Sequence, residues 1–534
     1  MLRTTRRRLA VVAGISAVIL GLAACSGGAT DDASGGDDGA EHIYIEAISA
    51  DPTGFNAQVA GGPIPLRFGY SILGSMVEMT GDYEVNPSLI EEWEFSEDGL
   101  TLTLKVRQGV KWHDGEPFTA EDVKFNLEEM VPLTGTGAPL AATFESVTIE
   151  DESTVVVKLS RQYGPFMEAL SQQVVLPKHL YEGTDYITNP ANMAPVGTGA
   201  MMFDSFSPGA EVVLVKNPDW WKGASDVDRA IFPVMTDPNA RTLSLLSGEL
   251  DSAVIDPAQQ DQVAASDTLE LMTKGVFPQL VAVTFNSQVP ELADPAVRQL
   301  VFAAMDRDAV TSLGLNDLGS PAQGYLPDAQ AWAQDPSINF DKDFPRDVDA
   351  INDGLDDAGY PVGSDGFRFS LDVNYISALS DVAAVAEVLK SSLEEVGIQL
   401  NLVGTAEPVF IENTFTNPNF GLFLMRNTAG ADPMLGAGPW LMCNAEKRPF
   451  RNGSGVCDPE LDEAAAGALS VIDRDERAGY LYTLQERANE LMYWAPLAWT
   501  NASNQTVNTQ RWTELPAGLT QTNSPPWAEM EWKG

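Results

Sequence analysis

Histidine and cysteine are scarce in this chain, which has three of each among its 534 residues. Two of the cysteines, Cys443 and Cys457, have no histidine near them in sequence and lack the ligand spacing of a zinc site. The motifs H-E-x-x-H, G-x-S-x-G and G-x-x-x-x-G-K-S/T are absent, as is a G-x-G-x-x-G that opens a helix. These absences exclude the enzyme classes that the motifs define. We predict no catalytic residues, no metal site and no cofactor.

Basic residues are also few, with 32 lysines and arginines against 76 aspartates and glutamates and a formal net charge of −44. A surface this acidic repels phosphate backbones and anionic lipid headgroups. The composition therefore argues against nucleic acid as a partner and against electrostatic adsorption to a membrane. The apolar fraction of 44% and the chain length predict two or more domains with large cores.

Long apolar runs are absent after residue 24, and the run before it is too short to span a bilayer. This run covers Leu9 to Leu22, follows four arginines and no acidic residue, and ends on small residues before Cys25. That order predicts a cleaved signal peptide over residues 1–24. The sequence Leu-Ala-Ala-Cys that ends at Cys25 resembles the lipobox of bacterial lipoproteins, which implies acylation of this cysteine and an extracytoplasmic protein anchored by lipid to the outer face of the cell membrane. Residues 25–41 are small, acidic and glycine-rich, and we predict a flexible tether there.

The other two cysteines, Cys443 and Cys457, enclose a polar, glycine-rich segment. Nearby cysteines in exported proteins are usually bridged, and a bridge over a loop of this length contributes on the order of 3 kcal/mol. We therefore predict a disulfide between them, with two separate buried thiols as the alternative.

Strand and helix patterns interleave along the whole chain. Residues 100–106 alternate between apolar and polar side chains, as in a half-buried strand, and Thr119 with Asp122 has the spacing of a capping box at a helix start. A further helix is predicted after Asp294, with Pro295 in its first position.

Two more predicted helices lead directly into strands. One begins near Asp381, stops at Gly397 and passes into the alternating residues 398–403. The other covers residues 473–492 and precedes an aromatic strand. Helices interleaved with strands in this way predict α/β domains and exclude an all-β sandwich.

Two motifs have both a functional and a structural interpretation. His113 lies in the segment KWHDGEPF, where turn geometry explains it more simply than proton transfer or ligand contact. The acidic segment 347–357 lacks the spacing and the final glutamate of an EF-hand. Its apolar residues Ile351 and Leu355 predict a solvated helix instead.

A series of sequence blocks, from about residue 42 to the C-terminus, points to one family. The most characteristic block is EDGLTLTLKVRQGVKWHDGEPFTAEDVKFNLEEM at residues 97–130, and PVGTGAMMFDSFSPGAEVVLVKNPDWW follows at 195–221. Further blocks occur at residues 245–254 and 283–310 and in the C-terminal RDERAGYLYTLQERANELMYWAPL. Together they resemble the large peptide/nickel-type, oligopeptide-binding-like solute-binding proteins of ABC importers, known as family 5.

The resemblance implies a type II-like periplasmic-binding-protein fold, in which two α/β lobes are joined by a hinge and the first lobe carries an inserted domain. We expect the first lobe over residues 42–79, 196–286 and 500–534, the inserted domain over 80–195, and the second lobe over 287–499. Proteins of this kind close on a ligand between the lobes, and the closed form docks on a membrane permease. The resemblance thus implies a monomeric binding protein and not an enzyme.

The segment LFLMRNTAGADPMLGAGPW, residues 422–440, is the part of the second lobe that bears on the ligand. In peptide-binding relatives, an aspartate three residues ahead of the Asp-Pro pair receives the peptide's amino group, and an aromatic residue lies a few positions earlier. Here Asp432 and Pro433 match, but Ala429 stands at the aspartate position and Arg426 at the aromatic one. A buried ammonium without a carboxylate is costly, so we expect free peptide N-termini not to be held in the usual way. Asp432 is the alternative partner for an amino group, and Arg426 suits a carboxylate or a phosphate.

Peptide remains the first prediction for the ligand, because it is the commonest ligand of the family. An oligosaccharide or another small polar solute is the alternative, and a sensory receptor or a hydrolase on the same scaffold is a further one, since the paired carboxylates of glycoside hydrolases have no reliable local spacing. For Trp440, the alternative to ligand contact is a position in the hydrophobic core. For Arg426, the alternative is a position on the surface. Family position implies the following ligand-binding residues: Phe55, Asn56, Phe285, Asn286, Arg426, Asn427, Thr428, Asp432 and Trp440.

Overall fold

The computed structural model describes residues 41–80, 83–256, 259–272, 278–500, 505–513, 515 and 524–534. The predicted signal peptide, Cys25 and all but the last residue of the predicted tether lie outside the described residues. Within these ranges, no helix combines the length and the apolar character that a membrane crossing requires.

The secondary structure alternates between strands and helices along the chain. The strands are β1 Ile43–Ala47, β2 Val77–Met79, β3 Val85–Pro87, β4 Ile90–Phe95, β5 Thr101–Val106, β6 Phe144–Asp151, β7 Thr154–Leu159, β8 Met201–Ser207, β9 Glu211–Lys216, β10 Arg229–Pro233, β11 Ser252–Val254, β12 Leu269–Leu271, β13 Gln279–Phe285, β14 Gly319–Pro321, β15 Phe369–Ile376, β16 Ile398–Thr405, β17 Leu422–Thr428, β18 Trp494–Thr500 and β19 Gln505–Asn508. The helices are α1 Pro63–Ile72, α2 Ala120–Phe125, α3 Gly137–Ala141, α4 Phe166–Ser171, α5 Lys178–Tyr181, α6 Pro238–Leu246, α7 Gln260–Ala264, α8 Pro295–Ala304, α9 Arg307–Ala309, α10 Phe340–Asp343, α11 Val348–Asp357, α12 Ser380–Glu394, α13 Glu407–Ile411, α14 Pro433–Gly436, α15 Gly438–Leu441, α16 Pro459–Ser470 and α17 Arg474–Leu491.

The described residues form three larger sheets and a two-stranded one, β2-β3. The first lobe has a seven-stranded sheet in the order β12-β19-β11-β1-β10-β9-β8, and the second lobe has a six-stranded sheet in the order β14-β18-β13-β17-β15-β16. A four-stranded antiparallel sheet, β4-β5-β7-β6, has a hydrophobic core of its own and forms the inserted domain. The predicted two-lobed α/β fold with an inserted domain is therefore confirmed.

Strand β13 lies at the centre of the second-lobe sheet, between β18 and β17. Its Val281, Val283 and Phe285 are fully buried in the second-lobe core. The expected first lobe extends to residue 286 and so includes β13. The strands that pair with β13 place it in the second lobe instead. A run of apolar residues does not by itself show which sheet a strand joins.

The helix starts follow the predicted capping residues. Thr119 and Asp122 form a capping box at α2, where the Thr119 amide donates to Asp122 Oδ2 at 2.9 Å. Asp294 caps α8 by accepting a hydrogen bond from the Ala296 amide at 2.9 Å. These two predictions are confirmed, because each cap depends only on residues two or three positions apart.

The ends of two helices and the position of a third also agree with the sequence predictions. Helix α12 is followed by Gly397, whose φ of +75° turns the chain into β16. Arg298 donates to the carbonyl oxygens of Leu491 and Met492 at 2.9 and 3.1 Å and so satisfies the end of α17 before β18 begins. The acidic segment forms helix α11 with Ile351 and Leu355 buried, as predicted.

His113 fixes the turn that contains it. Its Nε2 donates to the Gly199 carbonyl at 3.1 Å, and its Nδ1 accepts from the Gly197 amide at 3.2 Å. Burial lowers the pKa of His113 to about 4, so the ring is neutral at pH 7. This arrangement supports the structural interpretation of the histidine.

Candidate functional site

The last residues of β17 and the loop after them, residues 426–432, lie at the carboxyl end of the second-lobe sheet, and we call this segment the β17 loop. Strands β15 and β17 are parallel, so their carboxyl ends lie at the same edge. Open α/β sheets bind ligands outside that edge. On the first-lobe side, Met79 and Tyr83 pack against Ala431 of this loop. The β17 loop therefore lies where the two lobes meet.

Asp432 is not available to a ligand, because Arg477 already occupies its carboxylate. The Arg477 Nη2 atom lies 2.8 and 2.9 Å from the two carboxylate oxygens, and both side chains are 1% exposed. Asp432 Oδ1 also accepts a hydrogen bond from the Met434 amide at 2.9 Å and caps α14. The expectation that Asp432 contacts ligand is corrected accordingly: its carboxylate stabilises the second lobe.

Arg426 is likewise paired, with Asp381 at the start of α12. Its Nη1 donates to Asp381 Oδ2 at 2.8 Å, and both side chains are partly exposed. The positive charge is therefore balanced within the second lobe. A ligand carboxylate or phosphate would have to displace Asp381 to reach it.

Uncharged polar atoms remain near the β17 loop. The amide nitrogen of Asn427 is buried and has no hydrogen-bond partner within the described residues. Gln330 donates to the Gly430 carbonyl at 3.2 Å, while its own Oε1 is buried and unpartnered in the same part of the chain. Thr428 is exposed, and its hydroxyl accepts from the Gly430 amide at 3.3 Å. The loop thus offers hydrogen-bonding groups without net charge.

The remaining candidates lie elsewhere, and the structure does not bring them to the β17 loop. Phe55 packs against Phe68 in the first-lobe core, and the neighbouring Asn56 is fully buried with its amide donating to Asn192 Oδ1 at 2.8 Å. Both positions are corrected from ligand contact to core, because no face of either side chain is open.

Three second-lobe candidates also lie away from the β17 loop, two in the core and one beside a separate cavity. Phe285 is fully buried on β13, and Trp440 stacks on Trp494 with ring centroids 6.3 Å apart, so the core alternative for Trp440 holds. Asn286 donates to the Phe420 carbonyl at 2.9 Å and lines a separate small cavity next to the disulfide. Cys443 and Cys457 form that disulfide, as predicted.

An ionic contact that the sequence did not indicate joins the inserted domain to the second lobe. Arg474, at the start of α17, lies 3.5 Å from Glu84 and 3.5 Å from Glu168. Its guanidinium also lies over the Trp332 ring, 5.5 Å from the centroid. The Gly164 amide donates to the Leu469 carbonyl at 2.8 Å beside this group. We call Arg474, Glu84 and Glu168 the lobe latch.

The Glu168 carboxyl is the titratable member of the lobe latch in the neutral range. Burial raises its pKa to about 7, and the negative charge of Asp432 adds to the increase. Arg477 and Arg474 oppose this change. Contact between the lobes is therefore coupled to the protonation of a carboxyl group.

The residues of the lobe latch come from three distant parts of the chain. In the sequence, these three charged residues look like ordinary solvent-exposed residues. Arg474 also lies in a segment that is already predicted to be a helix. Only the packing of the inserted domain on the second lobe shows their relationship.

Comparisons with known proteins agree with this architecture. The model of the family described as bacterial extracellular solute-binding proteins, family 5 Middle, matches residues 84–447. Protein XP55 of Streptomyces lividans is 29% identical over 504 residues, which cover 90% of this chain and 88% of that protein. Di/tripeptide-binding protein 2 of Pseudomonas aeruginosa is 26% identical and covers 78% of this chain and 82% of its own length.

Solved structures share the fold at lower identity. NikA from Brucella suis in complex with Fe(III)-EDTA has a TM-score of 0.80 at 20% identity and covers 92% of this chain and 100% of its own. The oligopeptide-binding protein AppA from Bacillus subtilis in complex with a nonapeptide has a TM-score of 0.73 at 20% identity, with the same coverage of both chains. The chain therefore belongs to family 5 of the bacterial extracellular solute-binding proteins, the substrate-binding components of ABC transporters.

Proposed function

We propose that this protein is a lipid-anchored receptor of an ABC importer that takes a short peptide into the cleft between its lobes and delivers it to a membrane permease. Relatives named as ABC transporter peptide-binding and di/tripeptide-binding proteins support the choice of peptide. The lipobox sequence that ends at Cys25 supports the anchor. Because the family consists of transport binding proteins, the hydrolase alternative is set aside.

The pairing of Asp432 with Arg477 is the observation that defines the mode of binding. A peptide ammonium in a buried cleft needs a carboxylate partner, and this carboxylate is already neutralised and inaccessible. Arg426 is paired with Asp381 in the same way. The ligand is therefore held by uncharged groups, namely the side chains of Asn427, Thr428 and Gln330, together with main-chain groups of the β17 loop.

Calorimetric titration with matched peptides tests this mode. Di- to pentapeptides are compared with their N-acetylated forms, which lack the ammonium but keep every main-chain group. We expect at least one peptide to bind and its acetylated form to bind within about threefold, because the ammonium contributes no buried ion pair. A loss of tenfold or more on acetylation, about 1.4 kcal/mol, would contradict the proposed mode.

Variants of the β17 loop locate the binding site. Asn427→Ala and Gln330→Leu each remove an uncharged hydrogen-bonding group and should weaken peptide binding, by about 0.5–1.5 kcal/mol for one hydrogen bond. Asn401→Ala is the matched control, because this exposed amide on β16 bonds only to Ser370 and Asp372 in the described structure. Equal affinity in all three variants would place the ligand elsewhere.

Oligosaccharides are the second candidate, because the uncharged groups at the β17 loop also suit hydroxyl-rich solutes. The same titration with cello-, malto- and chito-oligosaccharides discriminates the two. Saturable binding of an oligosaccharide, abolished by Asn427→Ala and accompanied by no peptide binding, would replace peptide in the proposal.

A further inference from the structure

A second cavity, of ≈ 180 Å³, lies in the first-lobe half of the molecule. Its walls come from the end of α1 and the segment 74–79 after it, from residues 88–89, 198–200 and 220–222, from the end of α4 and from residues 524–529. No second-lobe residue lines it, although Met79 in its wall also packs against Ala431 of the β17 loop. Pockets for drug-sized ligands measure roughly 300–1,000 Å³, and this cavity accommodates an occupant about the size of one ring.

Three tryptophans, Trp220, Trp221 and Trp527, line the cavity, and each has a polar or cationic partner. Trp527 is buried, and its Nε1 donates to the Ser71 hydroxyl at 3.1 Å. The Arg107 guanidinium lies 4.3 Å from the centroid of Trp221, and the Lys222 ammonium lies 5.2 Å from the same ring and 5.9 Å from Trp220. Since two protein cations already occupy positions over these rings, a cationic ligand has little to gain from them.

The polar part of the wall excludes an anion. Glu78 accepts hydrogen bonds from Lys222 and from the Ser88 hydroxyl, the latter at 3.1 Å, so the lysine charge is balanced. Glu529 also lines the cavity and adds a carboxylate. The Thr198 hydroxyl donates to the Leu73 carbonyl at 3.0 Å and keeps its own lone pairs as acceptors. The wall therefore favours a neutral ligand that donates hydrogen bonds.

A sugar ring has both properties that the wall selects. One face of the ring consists of C–H groups that pack on an indole, and its edge carries hydroxyls that donate to a carboxylate and to serine or threonine oxygens. We propose that this cavity is a second ligand site of the protein and that it binds a single neutral sugar ring between Trp220, Trp221 and Trp527, with Glu78 as its hydrogen-bond acceptor. All of the residues that line the site belong to the first lobe and its inserted domain.

Titration of the purified protein with monosaccharides tests the proposal. The panel contains neutral hexoses, pentoses and N-acetylhexosamines, and binding is followed by calorimetry and by tryptophan fluorescence. At least one sugar should bind saturably, and Glu78→Gln should weaken it about tenfold or more, because a carboxylate acceptor bonds hydroxyls more strongly than an amide. Trp221→Leu should weaken it similarly and reduce the fluorescence change.

The controls separate this cavity from the cleft. Glu128→Gln is the matched control for Glu78→Gln, since Glu128 also pairs with a lysine, Lys124, at a comparable exposure. Asn427→Ala, in the β17 loop, should leave sugar binding unchanged. Glu78 lies at a partly exposed position, so its variant reports on the site even if Trp221→Leu fails to fold. Absence of saturable binding by every sugar, or binding that neither Glu78→Gln nor Trp221→Leu weakens, would overturn the proposal.

Discussion

Arg477 and Asp432 form a buried ion pair in which Nη2 of the arginine lies 2.8 and 2.9 Å from the two carboxylate oxygens and each side chain is 1% exposed. The pair joins the first turn of α17 to the end of the β17 loop. It therefore fixes the shape of the loop that we assign to the ligand, without contacting the ligand itself.

Breaking this pair from one side should destabilise the protein strongly. Asp432→Asn leaves the Arg477 charge buried without a partner, and we expect the free energy of unfolding to fall by about 3–5 kcal/mol. Denaturant unfolding followed by far-ultraviolet circular dichroism measures the change. Arg448→Ala, which removes an exposed pair with Glu446, should change stability by about 1 kcal/mol or less.

A double variant distinguishes a charge effect from a packing effect. Asp432→Asn combined with Arg477→Met removes both charges, so it should recover part of the stability that Asp432→Asn loses. If the double variant is as unstable as the sum of the two single ones, the ion pair does not account for the loss.

Glu168 should make the free energy of unfolding depend on pH. Its pKa is raised from 4.5 to about 7 in the folded protein, so the folded state binds more protons than the unfolded state between these values. The contribution of Glu168 to stability should therefore decrease as pH rises from about 4.5 to about 7 and should not change further above pH 7.

Thermal unfolding of the wild type and of Glu168→Gln across this pH range measures the effect. The glutamine is neutral at every pH and should remove that part of the slope, so that the variant gains stability relative to the wild type above pH 7. Parallel curves for the two proteins would show that Glu168 does not titrate in this range.

Arg474→Ala should loosen the lobe latch without unfolding either lobe. The side chain is partly exposed, so the loss in stability should be within about 1 kcal/mol. The radius of gyration from small-angle X-ray scattering should increase as the open form becomes more populated. Arg487→Ala, on the same helix but paired with Asp458 and Glu490 inside the second lobe, should leave the radius unchanged.

The Cys443–Cys457 disulfide should stabilise the second lobe. Its closed loop is short, so Cys443→Ser with Cys457→Ser should lower the free energy of unfolding by about 3 kcal/mol. The same loss should appear when the wild type is unfolded in the presence of a reductant, and the reductant should have no effect on the double variant.

Cys25→Ser tests the anchor. The variant should move from the membrane fraction to the soluble fraction and should lack the acyl mass at its N-terminus, while peptide affinity stays unchanged. Retention of the variant in the membrane fraction would contradict anchoring through this cysteine.

Much of the fold follows from local sequence. The capping residues Thr119 and Asp294, the stop at Gly397 and the helix built on Ile351 and Leu355 all depend on neighbours within a few positions. The family blocks supply the long-range arrangement of the lobes, which no periodicity in one sequence reveals.

The site was less predictable, because its chemistry depends on distant partners. The sequence around Asp432 suggests a carboxylate that could bind a ligand. In the fold, Arg477, which lies 45 residues away, pairs with this carboxylate. The sequence likewise suggests that Arg426 could bind a ligand anion. In the fold, Asp381 pairs with its guanidinium. Family position predicts ligand contact for Phe55 and Trp440, but both side chains pack in the cores, and only burial distinguishes these two roles.

The first-lobe sheet joins residues from both ends of the described chain. β1 begins at Ile43, its neighbour β11 pairs with β19 at Gln505–Asn508, and the same core includes Trp512 and Trp527. In order of synthesis, the second lobe is complete while the first still lacks a strand and several aromatic residues. The lobe that emerges first therefore finishes folding last, because its sheet is complete only when β19 has been synthesised.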